Sequence, residues 1–140
     1  MKKVLIDTDV ILDFFFDRKP FSDDAEKIFS LLESGKIKGF VTPLIYSNVY
    51  YLLRKTASHS FVIDKLKQLF YITDVLTMGK STVLQALNSD FSDFEDSLEN
   101  FAAVGYGDIH VLITRNVKDY KLSQISVLTP DNFLRSRENN

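Results

Sequence analysis

Short apolar runs alternate along this chain with stretches of helical periodicity, and that alternation leaves few architectures open. The runs are VLID at 4–7, GFVTP at 39–43, ITDVLT at 72–77, IHVLIT at 109–114 and ISVLT at 125–129. The first is short, apolar and closed by an acid, the pattern of a strand buried in a parallel sheet. Strands interleaved with helices predict a three-layer α/β/α sandwich around a central, mainly parallel sheet of about five strands.

The segments between the runs carry helix signals. VILDFFFD is compatible with a helix whose first turn holds Asp9, and SDDAEKIFSLLESGK adds a Ser22 cap, acids in its first turn and Gly35 as its stop. LIYSNVYYLLRK follows Pro43 and sets Leu44, Val49, Leu52 and Leu53 at helical spacing. SFVIDKLKQLFY places Phe61, Ile63, Leu66, Leu69 and Phe70 roughly on one side. Two further helices are expected in KSTVLQALNSD and SDFEDSLENFAAVGYG, the second opened by a Ser92 to Glu95 capping box and closed at Gly105 or Gly107. RNVKDYKLS reads as a polar loop, and PDNFLRSR as a short helix begun by Pro130.

With 140 residues, 45% of them hydrophobic, the chain suits one domain over 1–136 with a polar tail at 137–140. Its net charge of -2 excludes a binder that holds nucleic acid by bulk positive charge, so any such partner needs a few placed cations or a metal. The absence of cysteine excludes disulfides, thiolate metal sites and cysteine nucleophiles. No run approaches membrane-spanning length and the opening MKKVLID is too short in apolar residues for a signal peptide, so a cytoplasmic protein without membrane association is expected.

In open α/β sheets, sites form beyond the carboxyl ends of the strands. Asp7, Thr8 and Asp9 follow the first run, Thr42 and Asn48 the second, and Thr114, Arg115, Asn116 and Asp119 the fourth, while Asp93 and Asp96 open the helix before it. Carboxylates gathered without histidine or cysteine favour Mg²⁺ or Mn²⁺. Such an ion orients water and neutralises a phosphate under attack. Asp7 is the firmest candidate, because a charge closing an apolar strand needs a partner.

Asp9 reads equally as a helix cap, and Asp93 as an acid meeting a helix dipole. Asp96, opposite the stripe of Phe94, Leu98 and Phe101, has the pattern of a solvated surface acid, and Asp13 that of a surface residue one turn beyond Asp9. His59 and His110 lack ligand spacing. Tyr46, Tyr50 and Tyr51 read as helix packing.

LIDTDVIL resembles the first motif of haloacid dehalogenase-like phosphotransferases, with Asp7 as nucleophile and Asp9 as acid/base, but the match is confined to that motif. A second resemblance, to PIN-domain nucleases including VapC-type toxin ribonucleases, extends over nearly the whole chain. LIDTDVILDFF resembles the first PIN motif, DFEDSLENFAAVGYGD its acidic helix, VLITRNVKDY its T-R-N-x-x-D-F strand end, and ISVLTPDNFL its last strand and helix.

That resemblance implies catalytic, metal-binding roles for Asp7, Asp96 and Asp119, supported by Asp9, Asn48, Asp93, Thr114 and Asn116. It also implies Mg²⁺- or Mn²⁺-dependent hydrolysis of RNA to 5'-phosphate and 3'-hydroxyl ends, an antitoxin partner and a homodimer. Asn48 stands where the PIN pattern has glutamate, so the site has one negative charge fewer; Asp9 or Asp93 is a candidate to supply it. Loss of that charge also fits a weakened fold that binds RNA or a protein without turnover. Arg54, Lys55, Arg115 and Lys118 are the cations expected near the RNA backbone, each also readable as a solvated surface charge.

Overall fold

The computed structural model describes residues 1–138. Its strands are β1 (Lys2–Ile6), β2 (Ile37–Val41), β3 (Thr73–Val75), β4 (Val111–Ile113) and β5 (Ser126–Leu128). Seven helices are interleaved among the described residues: α1 (Thr8–Phe15), α2 (Ser22–Glu33), α3 (Pro43–Leu53), α4 (His59–Ile72), α5 (Lys80–Leu87), α6 (Phe94–Tyr106) and α7 (Pro130–Glu138). All four strand pairings are parallel, in the order β3-β2-β1-β4-β5.

The chain leaves β1 toward β2 and β3 on one side, then returns past β1 to β4 and β5 on the other. Helices therefore cover both faces: α1, α2, α3, α4 and α7 pack together, and α5 with α6. The reversal places the switch point between β1 and β4, where a crevice opens beyond the strand ends. Val4, Leu5 and Ile6 on β1 and Leu112 and Ile113 on β4 are buried, which explains the continuous apolar runs.

Local signals account for most boundaries. Thr42 caps α3 by accepting the Ile45 N–H at 3.1 Å, with Pro43 as its first residue. Gly35 and Gly107 follow α2 and α6 at φ of 72° and 89°, the left-handed turn that favours glycine. At Gly39 a Cβ would run into the end of the Leu32 side chain, so a larger residue there would require that side chain of α2 to move.

Several expectations are corrected. Asp93 rather than Ser92 caps α6, accepting the Asp96 N–H at 3.0 Å. α2 begins at Ser22 itself, behind Phe21, with no side-chain cap. On α4 the buried residues are Val62 and Leu69, while Phe61 and Phe70 are exposed. Arg137 and Glu138 continue α7, and Asn139 and Asn140 of the expected tail lie outside the described residues. No helix among the described residues is long and apolar enough to cross a membrane.

Candidate active site

β1 delivers Asp7 to the switch point, and pairing to β4 fixes its depth: the Asp7 N–H donates to the Ile113 carbonyl at 3.0 Å. Asp7, not Asp9, is the N-cap of α1, its Oδ1 accepting from the Thr8 N–H at 2.8 Å. Its Oδ2 accepts the Thr114 hydroxyl at 2.8 Å and lies 3.3 Å from the Tyr120 hydroxyl. Burial pushes the Asp7 carboxyl above the usual range, and the hydrogen bonds from Thr114, Thr8 and Tyr120 oppose that rise.

Asp9, in the first turn of α1, accepts the Arg115 backbone N–H at 3.0 Å through Oδ2. Its Oδ1 is buried with no partner among the described residues. Burial, then the charge of Asp7, pushes its carboxyl up to about 6. Thr114 lies 2.8 Å from Asp7 Oδ2 and 3.4 Å from Asp9 Oδ2, and its one hydroxyl proton serves the nearer acid.

α6 supplies the second wall. Asp96 is half-buried rather than solvated, because the buried face of α6 is polar and includes Ser97, Glu99 and Asn100. Of the expected apolar stripe Phe94 is exposed, while Leu98 and Phe101 are half-buried. Asp96 is pushed up to about 7 by burial and then by Asp93 and Asp7. Its Oδ1 lies 3.2 Å from the hydroxyl of Tyr120, so one phenolic proton faces two carboxylates, Asp7 and Asp96.

Tyr120 itself is buried in a 3₁₀ turn at Val117–Tyr120, inside the segment expected to be a polar loop. Ser123 and Gln124, just beyond, bond Asn100 of α6 at 2.6 and 3.2 Å and tie the turn to that helix. One turn after Asp96, Glu99 is 4% exposed and accepts the Thr42 hydroxyl at 2.7 Å through Oε1. Its Oε2 is buried without a partner, and burial pushes the carboxyl up to about 8.

A crevice of about 470 Å³ opens above these groups, its lining including Asp7, Asp9, Asn48, Asp96, Arg115 and Asn116. Glu95 also lines it, accepting from the Asn48 amide Nδ2 at 3.4 Å. Thr114 lies beneath, buried, with its oxygen accepting the Asn116 N–H at 3.0 Å. Asp119 sits on the 3₁₀ turn outside the lining, and its charge raises both Asp7 and Asp96. Asp93 is occupied as the α6 cap.

Of the four expected cations, Arg115 alone lines the crevice. Arg54 donates to the Ala57 carbonyl at 2.9 Å, Lys55 lies over the Tyr51 ring, and Lys118 is exposed on the 3₁₀ turn. Tyr51, read as helix packing, is 66% exposed and lines the crevice. Asp13, read as a surface residue, is fully buried and paired to Arg18 at 2.9 Å and Arg115 at 2.7 Å.

The sequence reading therefore missed Tyr120, Glu99, Glu95, Asp13 and Arg18. Two signals were available: Asp13 lies four residues after Asp9, and Glu99 three after Asp96, so each shares a helix face with a candidate acid.

The donors present are carboxylates, hydroxyls and amides, the chemistry of a hard cation. Among the described residues no three acids gather tightly enough to make a ready-made ligand group. Mg²⁺ is commonly held by only one or two carboxylates, with water and substrate phosphate completing its shell. Asp7 and Asp96, spanned by a single hydroxyl, fit that requirement, and Asp9, whose buried Oδ1 has no partner among the described residues, adds a carboxylate beside Asp7.

Residues 3–118 match the PIN domain family. The chain belongs to that family. This PIN domain is also 28% identical to Ribonuclease VapC1 of Aquifex aeolicus over 137 residues, 94% of this chain and 93% of that one. Its fold is similar to that of VapBC-1 from nontypeable Haemophilus influenzae, with a TM-score of 0.67 and 16% identity over 92% of this chain and 98% of that chain. A similar likeness holds to VapBC2 from Rickettsia felis bound to a DNA fragment from their promoter, at TM-score 0.65 and 12% identity, covering 90% of this chain and 96% of that one.

The acids of this PIN domain set its stability against pH. Asp9, Asp96 and Glu99 titrate near 6, 7 and 8 in the folded chain, against 3.8, 3.8 and 4.5 as their ordinary values. Between about pH 4 and pH 8 the folded form keeps protons that the unfolded chain has released, so stability falls as pH rises through that window. In chelator, the thermal midpoint should drop on the order of 5–10 °C from about pH 5 to about pH 8. A midpoint that climbs over the same interval contradicts the assignment.

Proposed function

We propose that this PIN domain is a divalent-metal-dependent endoribonuclease and the toxin of a toxin–antitoxin pair, acting in the cytoplasm. The observation that carries the proposal is the convergence of Asp7 and Asp96, from elements 89 positions apart in the chain, on either side of one hydroxyl in a polar crevice. The likeness to Ribonuclease VapC1 supports RNA as substrate, and the likeness to VapBC assemblies supports a partner protein.

Asp7 and Asp96 would hold Mg²⁺ or Mn²⁺, with Asp119 adding charge from the 3₁₀ turn. A bound ion of this kind neutralises a scissile phosphate and lowers the pKa of an attacking water. Thr114 orients Asp7 by donating to Oδ2, and the Thr8 N–H holds Oδ1, so the carboxylate plane is set before substrate arrives. The Asn116 N–H fixes Thr114 in turn. Asp9, clamped by the Arg115 backbone, adds negative charge next to Asp7. Hydrolysis would leave 5'-phosphate and 3'-hydroxyl ends.

Incubation of purified protein with structured RNAs tests this reading. Cleavage should require added Mg²⁺ or Mn²⁺ and stop with chelator, and inertness with both ions removes the nuclease assignment.

A second reading, a PIN domain that binds without turnover, is favoured by one feature. Asn48 carries no charge, and an amide cannot take a proton. Its amide bonds Glu95 across the crevice, and no hydrogen bond ties it to Asp9 or Asp93 among the described residues. Asn48→Glu should set two like charges together, lowering the metal-free midpoint by a few degrees. It should also tighten Mn²⁺ binding by about tenfold in calorimetry and raise turnover. An unchanged Mn²⁺ affinity would mean that the absent charge at this position does not limit occupancy.

A further inference from the structure

A carboxylate removed from water requires compensation, and Asp13 is 0% exposed. Two guanidiniums close on it from segments far apart in sequence. Arg18, in the loop after α1, brings Nε to 2.9 Å of Oδ1, an ion pair whose angle does not make a hydrogen bond. Arg115, just after β4, brings Nε to 2.7 Å of Oδ2 and Nη2 to 3.0 Å of Oδ1, the two-point fork of a planar pair. Asp13 thus faces two guanidiniums, and the Asp9 carboxylate beside Arg115 offsets part of the surplus positive charge.

That surplus is held in place on every side. The Arg115 guanidinium lies 3.9 Å from the centre of the Phe21 ring, which fixes its plane. Arg18 donates from Nη2 to the Asp9 carbonyl at 3.3 Å, tying it to the first turn of α1. The bonds named leave Nη1 of both side chains as donors, and both residues line the crevice that holds Asp7 and Asp96. Side-chain exposures of 41% for Arg18 and 28% for Arg115 leave each an edge open to it.

We propose that Arg18 and Arg115, anchored together on buried Asp13, form a preorganised rim that binds the phosphodiester backbone of RNA at the mouth of the crevice. The choice of RNA rests on the nuclease reading above. Guanidinium is the side chain whose fork matches phosphate oxygens, and one already immobilised loses little freedom on binding. The carboxylate floor would repel an anion by itself, so the rim acts beside a bound cation. A phosphodiester chain can meet both, with one phosphate on the floor and a neighbour on the rim.

The test is the binding of a fluorescein-labelled single-stranded RNA oligonucleotide, followed by anisotropy in Ca²⁺ at several salt concentrations, with a gel of the same samples showing whether RNA is cut. Where it is cut, KM of cleavage takes the place of Kd. Arg18→Gln should weaken binding at least about tenfold and reduce the slope of log Kd against log salt by about 0.7, the value for one phosphate contact on a single strand. Arg18→Lys should recover part of the loss, and Lys67→Gln, on exposed α4 surface outside the crevice, should change Kd less than threefold.

A Kd for Arg18→Gln within twofold of wild type, in a variant with unchanged circular dichroism, overturns the rim. So does a wild-type chain that binds no RNA. The two readings fail separately. RNA held through Arg18 but never cut with Mg²⁺ or Mn²⁺ removes the nuclease and keeps the rim, whereas RNA cut equally well without Arg18 removes the rim and keeps the nuclease.

Discussion

Asp13→Asn should lower the thermal midpoint by on the order of 10 °C, a loss of about 3 kcal/mol for breaking a buried ion pair. The carboxylate is fully buried, accepts a two-point hydrogen bond from Arg115 and is ion-paired to Arg18, so replacing it leaves two guanidiniums facing a neutral amide. One amide oxygen can satisfy one of them, and the amide nitrogen is a donor turned toward the other. Because both arginines keep an exposed edge, water limits the penalty to the lower end of the range for buried pairs. Guanidinium denaturation of wild type, Asp13→Asn and the double variant with Arg18→Gln measures it. Partial recovery in the double variant is expected, since it removes one of the two uncompensated charges. A single variant as stable as wild type would mean that Asp13 neither holds nor is held by the two arginines.

The second large effect has opposite signs in two measurements. Asp7→Asn should abolish detectable Mn²⁺ binding and reduce RNA cleavage by at least about 100-fold, yet raise the metal-free midpoint by several degrees. The gain follows from the charges around it: burial disfavours the Asp7 carboxylate, and Asp9 and Asp96 are each raised partly by its charge. An asparagine keeps the Thr8 N–H bond through its oxygen, and Thr114 can turn its hydroxyl to accept from the amide. Tyr120 is then free to give its single proton wholly to Asp96. Calorimetric titration with Mn²⁺, melting in chelator and an RNA cleavage assay read the three outcomes. Falling metal-free stability would show that the carboxylate is a structural asset rather than a strained one, and retained cleavage would remove Asp7 from the chemistry.

How much of this was legible in the sequence varies with the range of the interaction. The strands were readable because both faces of the sheet are covered, which turns β1 and β4 into uninterrupted apolar runs. Asp7 was readable for the same reason: a charge at the end of such a run has no cheap explanation. α6 misled because helical reading assumes that the apolar side faces inward. Here Glu99 and Asn100 are buried against Thr42, Ser123 and Gln124, partners from β2's end and the loop beyond the 3₁₀ turn that no local pattern announces.

Tyr120 was hidden by composition, since RNVKDYKLS is polar everywhere except at Val117, Tyr120 and Leu122. The motif it resembles has phenylalanine there, and the added hydroxyl matters only once Asp7 and Asp96 are known to flank it. Of Asp13's two partners Arg18 lies five residues on, but Arg115, whose fork completes the pair, is 102 residues away. Pattern reading finds which residues are enclosed by continuous elements, and misses those whose partners arrive from another part of the chain.

The sheet's two borders bear on how copies of this chain could meet. β3 and β5 are three residues each, and the β3 edge carries Asp74, paired to Lys38 of the neighbouring strand at 3.2 Å. So brief and charged a border offers another strand little to zip onto, which guards against runaway stacking. A homodimer of this PIN domain would accordingly be assembled from helix surfaces, and its symmetry axis would pass between helices rather than through a shared ten-stranded sheet.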